Sequence, residues 1–208
     1  MSQPPDAFTI GELIEEVFQR FDEAPLSYGH GTDNPWDEAV YLVLSVTGAA
    51  DDEGSLNLVV GPDAQQRIRE LASRRIGERA PLAYLLGECY FMGQRFLVSP
   101  GVMIPRSPIG YLLGQPLEDW VSPEVTRIVD ICAGVGCLGI LAAQRYPEAE
   151  VSLVELDAQA AKLAKQNVVL HNLQDRVQVV QGDACQWLAE QSDCWDLVLT
   201  NPPYVDAA

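Results

Sequence analysis

Along the first third of the chain, apolar residues recur at the three-to-four spacing of an amphipathic helix. Ile10, Leu13, Ile14, Val17, Phe18 and Phe21 share one face and predict a helix over about 9–23. Thr9 and Glu12 have the spacing of a capping box, in which each side chain satisfies a backbone N–H left free at the helix start. A second helix is predicted from Asn34 as its cap, with Pro35 in the first turn and Asp37 and Glu38 at the positive end of the dipole. It buries Val40, Leu42, Val43 and Val46 and stops at Gly48. A third follows Pro62 and Asp63 and carries Ile68, Leu71 and Ile76 up to Gly77. Residues 1–87 therefore read as a small all-helical domain.

The period then shortens. Residues 89–91 and 95–98 flank Met92-Gly93-Gln94 as the arms of a β-hairpin, and residues 102–104 predict another short strand before Pro105. Residues 88–122 thus read as a hairpin linker and a connecting helix. Over 123–208, strands are predicted at 127–130, 151–155, 177–180 and 196–200, with an Ala/Leu helix after the first and a helix over 158–171 after the second. Strands separated by helices imply an α/β fold with a parallel, doubly wound sheet.

Composition narrows the class. The 208 residues are 48% hydrophobic and 21% charged, as in folded globular chains, and no apolar run is long enough for a membrane helix. Residues 1–6 lack the basic and apolar stretches of a secretory leader, so none is expected. Cys89, Cys132, Cys137, Cys185 and Cys194 are odd in number and form no C-x-x-C pair. Buried free thiols in a reducing cytoplasm are expected, without disulfides or a metal. The net charge of −17 is unevenly spread: residues 1–63 hold thirteen acidic side chains and only Arg20 as a base. Such a face repels phosphate backbones and attracts a basic protein, or it serves only as a solvated surface.

The candidate chemistry lies where the predicted strands end. Gly134-Val135-Gly136-Cys137-Leu138-Gly139 matches G-x-G-x-x-G directly after a strand, a pattern that lets backbone N–H groups approach a ligand. Glu155 closes the next strand and can hydrogen-bond both hydroxyls of a ribose. Asp130 can receive the cationic amino-acid end of a methyl donor. Asp183, followed by Ala184, can accept from an adenine amino group. Together these residues favour a nucleoside ligand in one crevice. Asn201-Pro202-Pro203-Tyr204 follows the fourth strand. An amide nitrogen is a poor nucleophile because its lone pair is delocalised. The Asn201 side-chain oxygen and the Pro202 carbonyl can accept both of its N–H bonds and so aim it at a sulfonium methyl. Pro202 and Pro203 stiffen the loop, and Tyr204 can stack on the flat amide or on a base. His30 reads as a loop-structuring residue, His171 as a favourable cation at a helix end, and Trp187 and Trp195 as packing residues.

These motifs resemble the HemK-like glutamine N5-methyltransferases over essentially the whole chain. Asp130-Ile131-Cys132-Ala133-Gly134-Val135-Gly136 looks like the family's cofactor loop, and Asn201 to Tyr204 is its signature. Gly87-Glu88, Phe91 and Ile104-Pro105-Arg106 resemble the connection between its substrate-recognition and catalytic domains. Within the family, Arg106-Ser107-Pro108-Ile109, residues 28–34 and Asp37-Glu38-Ala39 resemble the branch that methylates ribosomal protein L-three rather than release factors. Tyr111, where that branch usually has Glu, and Glu155, where Asp is commoner, are departures.

The resemblance implies a Rossmann-like S-adenosylmethionine-dependent methyltransferase domain behind the helical domain. Asp130, Cys132, Ala133, Gly134, Val135, Gly136, Glu155, Asp183, Ala184 and Asn201 would bind the cofactor, and Asn201, Pro202, Pro203 and Tyr204 would bind the glutamine. The substrate would be a basic ribosomal protein, with no direct nucleic-acid or membrane contact. The implied sheet has seven strands in the order 3-2-1-4-5-7-6, and only its first four precede Asn201. Strand four is then an edge, through which self-association is expected. Rival readings are a release-factor methyltransferase, a nucleic-acid adenine methyltransferase acting on a flipped base, an NAD-dependent oxidoreductase, and an inactive cofactor-binding fragment.

Overall fold

The computed structural model describes residues 8–29, 31–117, 120–122, 124–192 and 194–203. Contacts divide the chain into two compact units, Met1–Gly87 and Glu88–Ala208. Among the described residues no helix is long and apolar enough to cross a membrane.

The first unit is helical. Helix α1 (Ile10–Asp22) starts with the expected capping box: Glu12 N–H donates to Thr9 Oγ1, and Thr9 N–H to Glu12 Oε2. Helix α2 (Pro35–Thr47) is capped by Asn34, whose Oδ1 accepts from Asp37 N–H at 2.9 Å, and ends on Gly48 in a left-handed conformation. Helix α3 (Pro62–Glu78) runs through Gly77, where the sequence predicted its stop. The Arg74–Glu78 ion pair bridges this last turn, and the chain leaves the helix at Arg79, two residues before Pro81. A short helix α4 (Leu82–Leu86) follows, unforeseen in the sequence. Ile10, Leu13, Ile14, Val17, Phe21, Leu42, Val43, Ile68 and Leu71 form one buried core, with Val40 and Val46 half-buried at its margin. Glu38 and Arg75 are buried together in this unit at 3.0 Å, and Arg75 also donates to the Ser27 carbonyl.

The second unit opens with strands β1 (Glu88–Phe91) and β2 (Gln94–Leu97), paired antiparallel. Met92 and Gly93 both have positive φ, as a tight hairpin turn requires. The strand predicted at 102–104 is not formed. Val102 and Ile104 are buried and Met103 is exposed, so the alternation is real, but the segment joins neither sheet. Pro100, Gly101 and Pro105 bracket it too tightly for a ladder. Helix α5 (Pro108–Leu113) follows, capped by Ser107.

Strands β3 (Arg127–Ile131), β4 (Glu150–Glu155), β5 (Val177–Gln181) and β6 (Leu197–Thr200) form one parallel sheet in the order β5-β4-β3-β6. This is the 3-2-1-4 part of the expected order. Helices α6 (Cys137–Arg145), α7 (Ala158–Leu170) and α8 (Ala184–Ala189) occupy the crossovers. The chain moves outward from β3 to β5 and then returns to pair β6 with β3. That reversal opens a crevice at the carboxyl ends of β3 and β6, the usual ligand position in such sheets.

All five cysteines are free. Cys89 and Cys137 are buried as expected, but Cys185 and Cys194 are exposed. They lie in the first turn of α8 and in the segment before β6, where no layer covers them.

Candidate active site

Three backbone turns shape the crevice. After β3 the chain takes positive φ at Cys132, Gly134 and Gly136. A side chain on Gly136 would come within 2.8 Å of Leu153 Cδ1, and one on Gly139 within 2.1 Å of Leu153 Cδ2. The glycine pattern therefore lets α6 start directly against β4. Cys132 holds a left-handed conformation without being glycine, a strained position of the kind found at functional sites. Burial raises the pKa of its thiol.

Glu155 is held on both oxygens by backbone: Gly134 N–H donates to Oε2 at 2.7 Å and Asp157 N–H to Oε1 at 2.8 Å. The carboxylate thus ties the glycine loop to the end of β4. Asp130 is 1% exposed; its Oδ2 accepts from Gly139 N–H at 2.9 Å, and its Oδ1 is buried with no partner among the described residues. Burial pushes its pKa up to about 7; the Gly139 bond opposes the shift and the charge of Glu155 adds to it.

A cleft of about 590 Å³ runs over these turns. Of the residues expected to act, Cys132, Ala133, Gly134, Val135, Glu155, Asn201 and Pro203 line it together. Asp130, Gly136, Asp183, Ala184 and Pro202 are not among its lining residues. Asp183 caps α8 by accepting from Gln186 N–H, and Gln181 lines the cleft at that corner instead. Tyr204 and His30 lie outside the described residues.

Sequence reasoning missed the wall made by residues 101–107. Their buried–exposed alternation was read as a strand, although Pro100-Gly101 and Pro105 were signals of an irregular segment. It also missed Asn167, a fully buried side chain of α7. Its Oδ1 accepts from Leu97 N–H at 2.7 Å, and its Nδ2 donates to the carbonyls of Leu97 and Val135. One side chain thereby fixes the hairpin and the glycine loop to the same helix. One turn later, the His171 ring bonds to the Arg95 carbonyl at 2.9 Å and packs on Phe96. Burial lowers the pKa of His171, so it docks the hairpin rather than serving as a helix-end cation.

The chain is 41% identical over 204 residues to a ribosomal protein uL3 glutamine methyltransferase of Bordetella pertussis, covering 96% of this chain and 68% of the relative. It is 38% identical to one of Burkholderia pseudomallei, covering 100% of this chain and 71% of the relative. The chain belongs to the uL3 glutamine methyltransferase family. Residues 112–208 also match the methyltransferase small domain family. That match takes in the glycine loop, Glu155 and the Asn201 loop, and agrees with the Rossmann-like α/β topology. A solved S-adenosylmethionine-dependent methyltransferase from Agrobacterium tumefaciens superposes on 56% of this chain and 39% of its own, at 21% identity and a TM-score of 0.46.

Proposed function

We propose that this protein transfers a methyl group from S-adenosylmethionine to the side-chain N5 nitrogen of a glutamine in ribosomal protein uL3. The observation that carries this reading is the shared cleft: Asn201 and Pro203 line the same space as Gly134 and Glu155. The cofactor suits the residues present. The volume of about 590 Å³ is that of a small-molecule site. Glu155 stands at a strand end with its position fixed by two backbone N–H groups, as recognition of ribose hydroxyls requires. Asp130 does not line the cleft and would act on the ammonium end through its charge alone; its Oδ1 has no partner among the described residues. The turn from Cys132 through Gly136 supplies backbone contacts, and Asp183 and Ala184 would face the adenine. When bound, S-adenosylmethionine supplies an electrophilic methyl on a positively charged sulfur.

The chain's own task is orientation. Asn201 Oδ1 and the Pro202 carbonyl accept the two N–H bonds of the glutamine amide and aim its lone pair into the cleft. The same acceptors stabilise positive charge as it develops on nitrogen. Pro203 stiffens the loop. The proton released from nitrogen passes to water. Residues 1–87 would hold the protein substrate, and the acidity of residues 1–63 suits a basic one. Free thiols support a cytoplasmic setting.

Incubation with purified uL3 and methyl-labelled S-adenosylmethionine, followed by peptide mass mapping, tests the assignment. The expected product carries one methyl on a glutamine side-chain nitrogen. Label found only in adenine of nucleic acid, or only in a release factor, would overturn it.

A further inference from the structure

The residues lining the cleft carry two carboxylates, and both are committed to the backbone. Glu155 is bound by Gly134 and Asp157 N–H groups, and the Asp157 carboxylate caps α7 through Ala160 N–H at 2.8 Å. Among the described lining residues one side chain is basic, Arg106. It lies on the wall of residues 101–107, in a stretch that the resemblance marked as a connection and to which it gave no ligand. Its neighbours anchor it: Ile104 and Ser107 are buried, and Ser107 caps α5 by accepting from Ile109 N–H. The Arg106 side chain itself is exposed. Among the described residues the ion pairs use Arg69, Arg74, Arg75 and Arg95, and none uses Arg106. Acidic residues outnumber basic ones by 30 to 13 in this chain, so a cation left without an acid at a cleft is a pointed arrangement.

S-adenosylmethionine brings four kinds of polar group: a nucleoside, a sulfonium, an ammonium and a carboxylate. The acids of the site suit the first three and repel the fourth. A carboxylate held in a cleft whose other charged lining residues are Glu155 and Asp157 is favoured by a cation in the same space. We propose that Arg106 is the subsite for the methionine carboxylate of the cofactor, its guanidinium donating to both carboxylate oxygens. This rests on the reading of the cleft as the cofactor site. The planar fork of arginine fits a carboxylate bidentately, which a lysine ammonium cannot do.

Calorimetric binding without any methyl acceptor separates the roles. Two ligands are compared: S-adenosylhomocysteine, which has the amino-acid end, and 5′-methylthioadenosine, which lacks it. Wild-type protein, Arg106→Gln and Arg106→Lys are each titrated with both, and thermal unfolding confirms that the variants fold. Arg106→Gln is expected to weaken S-adenosylhomocysteine about 10- to 100-fold and to leave 5′-methylthioadenosine unchanged. Arg106→Lys is expected to retain part of the difference. Equal losses for both ligands, or no loss for either, would overturn the carboxylate subsite while the cofactor cleft stands. Wild-type protein that binds neither ligand would overturn the cleft reading and the subsite with it.

Discussion

At the start of β3, the carboxylate of Asp196 accepts hydrogen bonds from Thr126 N–H, the Thr126 hydroxyl and Arg127 N–H, all within 2.9 Å. At the other end of the same strand, Asp130 accepts one bond and keeps an oxygen buried without a partner among the described residues. The contrast extends across the sheet. On the amino-terminal side, Arg176 donates to the carbonyls of Ala143, Tyr146 and Ala149, and the Arg127 guanidinium lies over the Trp195 ring, which packs against Trp187. On the carboxyl-terminal side, Arg106 joins no ion pair among the described residues, and Cys132 is held left-handed. Hydrogen bonds made inside the protein stabilise its fold; groups left without partners are free to meet a ligand. At the carboxyl-terminal end Glu155 and Asp157 are committed to the backbone, while Asp130 keeps one oxygen without a partner among the described residues.

The strongest challenge to this division is Asn201→Ala. Removing one oriented acceptor is expected to lower kcat by roughly 10²–10³, with cofactor affinity and thermal stability little changed. Steady-state methylation and calorimetry on the same preparation check it. Collapse of cofactor binding with normal turnover at saturation would assign the residue to the wrong ligand.

Asp130→Asn should produce a smaller effect with two opposite signs. The native carboxyl titrates near 7, while its unfolded value is about 3.9. A raised folded value means that ionisation opposes folding, so wild-type stability should fall as pH rises from about 4 to about 7 and then level off. The asparagine retains the acceptor for Gly139 and removes this slope. It should also weaken S-adenosylmethionine roughly tenfold, by withdrawing charge from its ammonium. Denaturant melts on either side of neutrality read the first effect and calorimetry the second. A variant that keeps the wild-type slope would show that another group causes it.

At the amino-terminal end, Arg176→Ala should cost about 1 kcal/mol of stability and leave ligand affinity and turnover per folded molecule unaltered. A selective loss of cofactor binding in this variant would mean that the two ends are not independent. The smallest effect concerns the acidic residues 1–63. If their charge draws in uL3, kcat/KM should decline as salt is added, since exposed charges are screened beyond about 8 Å at physiological ionic strength. A flat salt series would remove steering and leave the chemistry untouched.

Much of this architecture was legible without coordinates. Local signals are self-contained: Thr9 and Glu12 satisfy each other within one turn, and Asn34 caps the helix that Gly48 ends. The four parallel strands were read from apolar runs between helices. The positions of the Asn201 loop, the glycine turn and Glu155 after those strands were legible too, and the fold brings them to one cleft. The misreadings share a cause. The alternation at 102–104 requires a neighbouring strand to become a ladder, and no spacing reveals whether one is there. Gly77 could end α3 or be carried through it, and the helix runs on to Glu78. His171 could serve as a cation or be desolvated against Phe96, and burial decided that.

The sequence by itself determined the succession of elements and the parallel sheet, because each depends on periodicity or on neighbours a few positions away. Only the tertiary structure decided that Asn167 joins Leu97 to Val135, that Asp130 keeps a buried oxygen without a partner among the described residues, and that Arg106 shares a cleft with Glu155 and Asn201. These relations connect residues tens of positions apart, and their energies come from desolvation and pairing that exist only once the chain has closed around them.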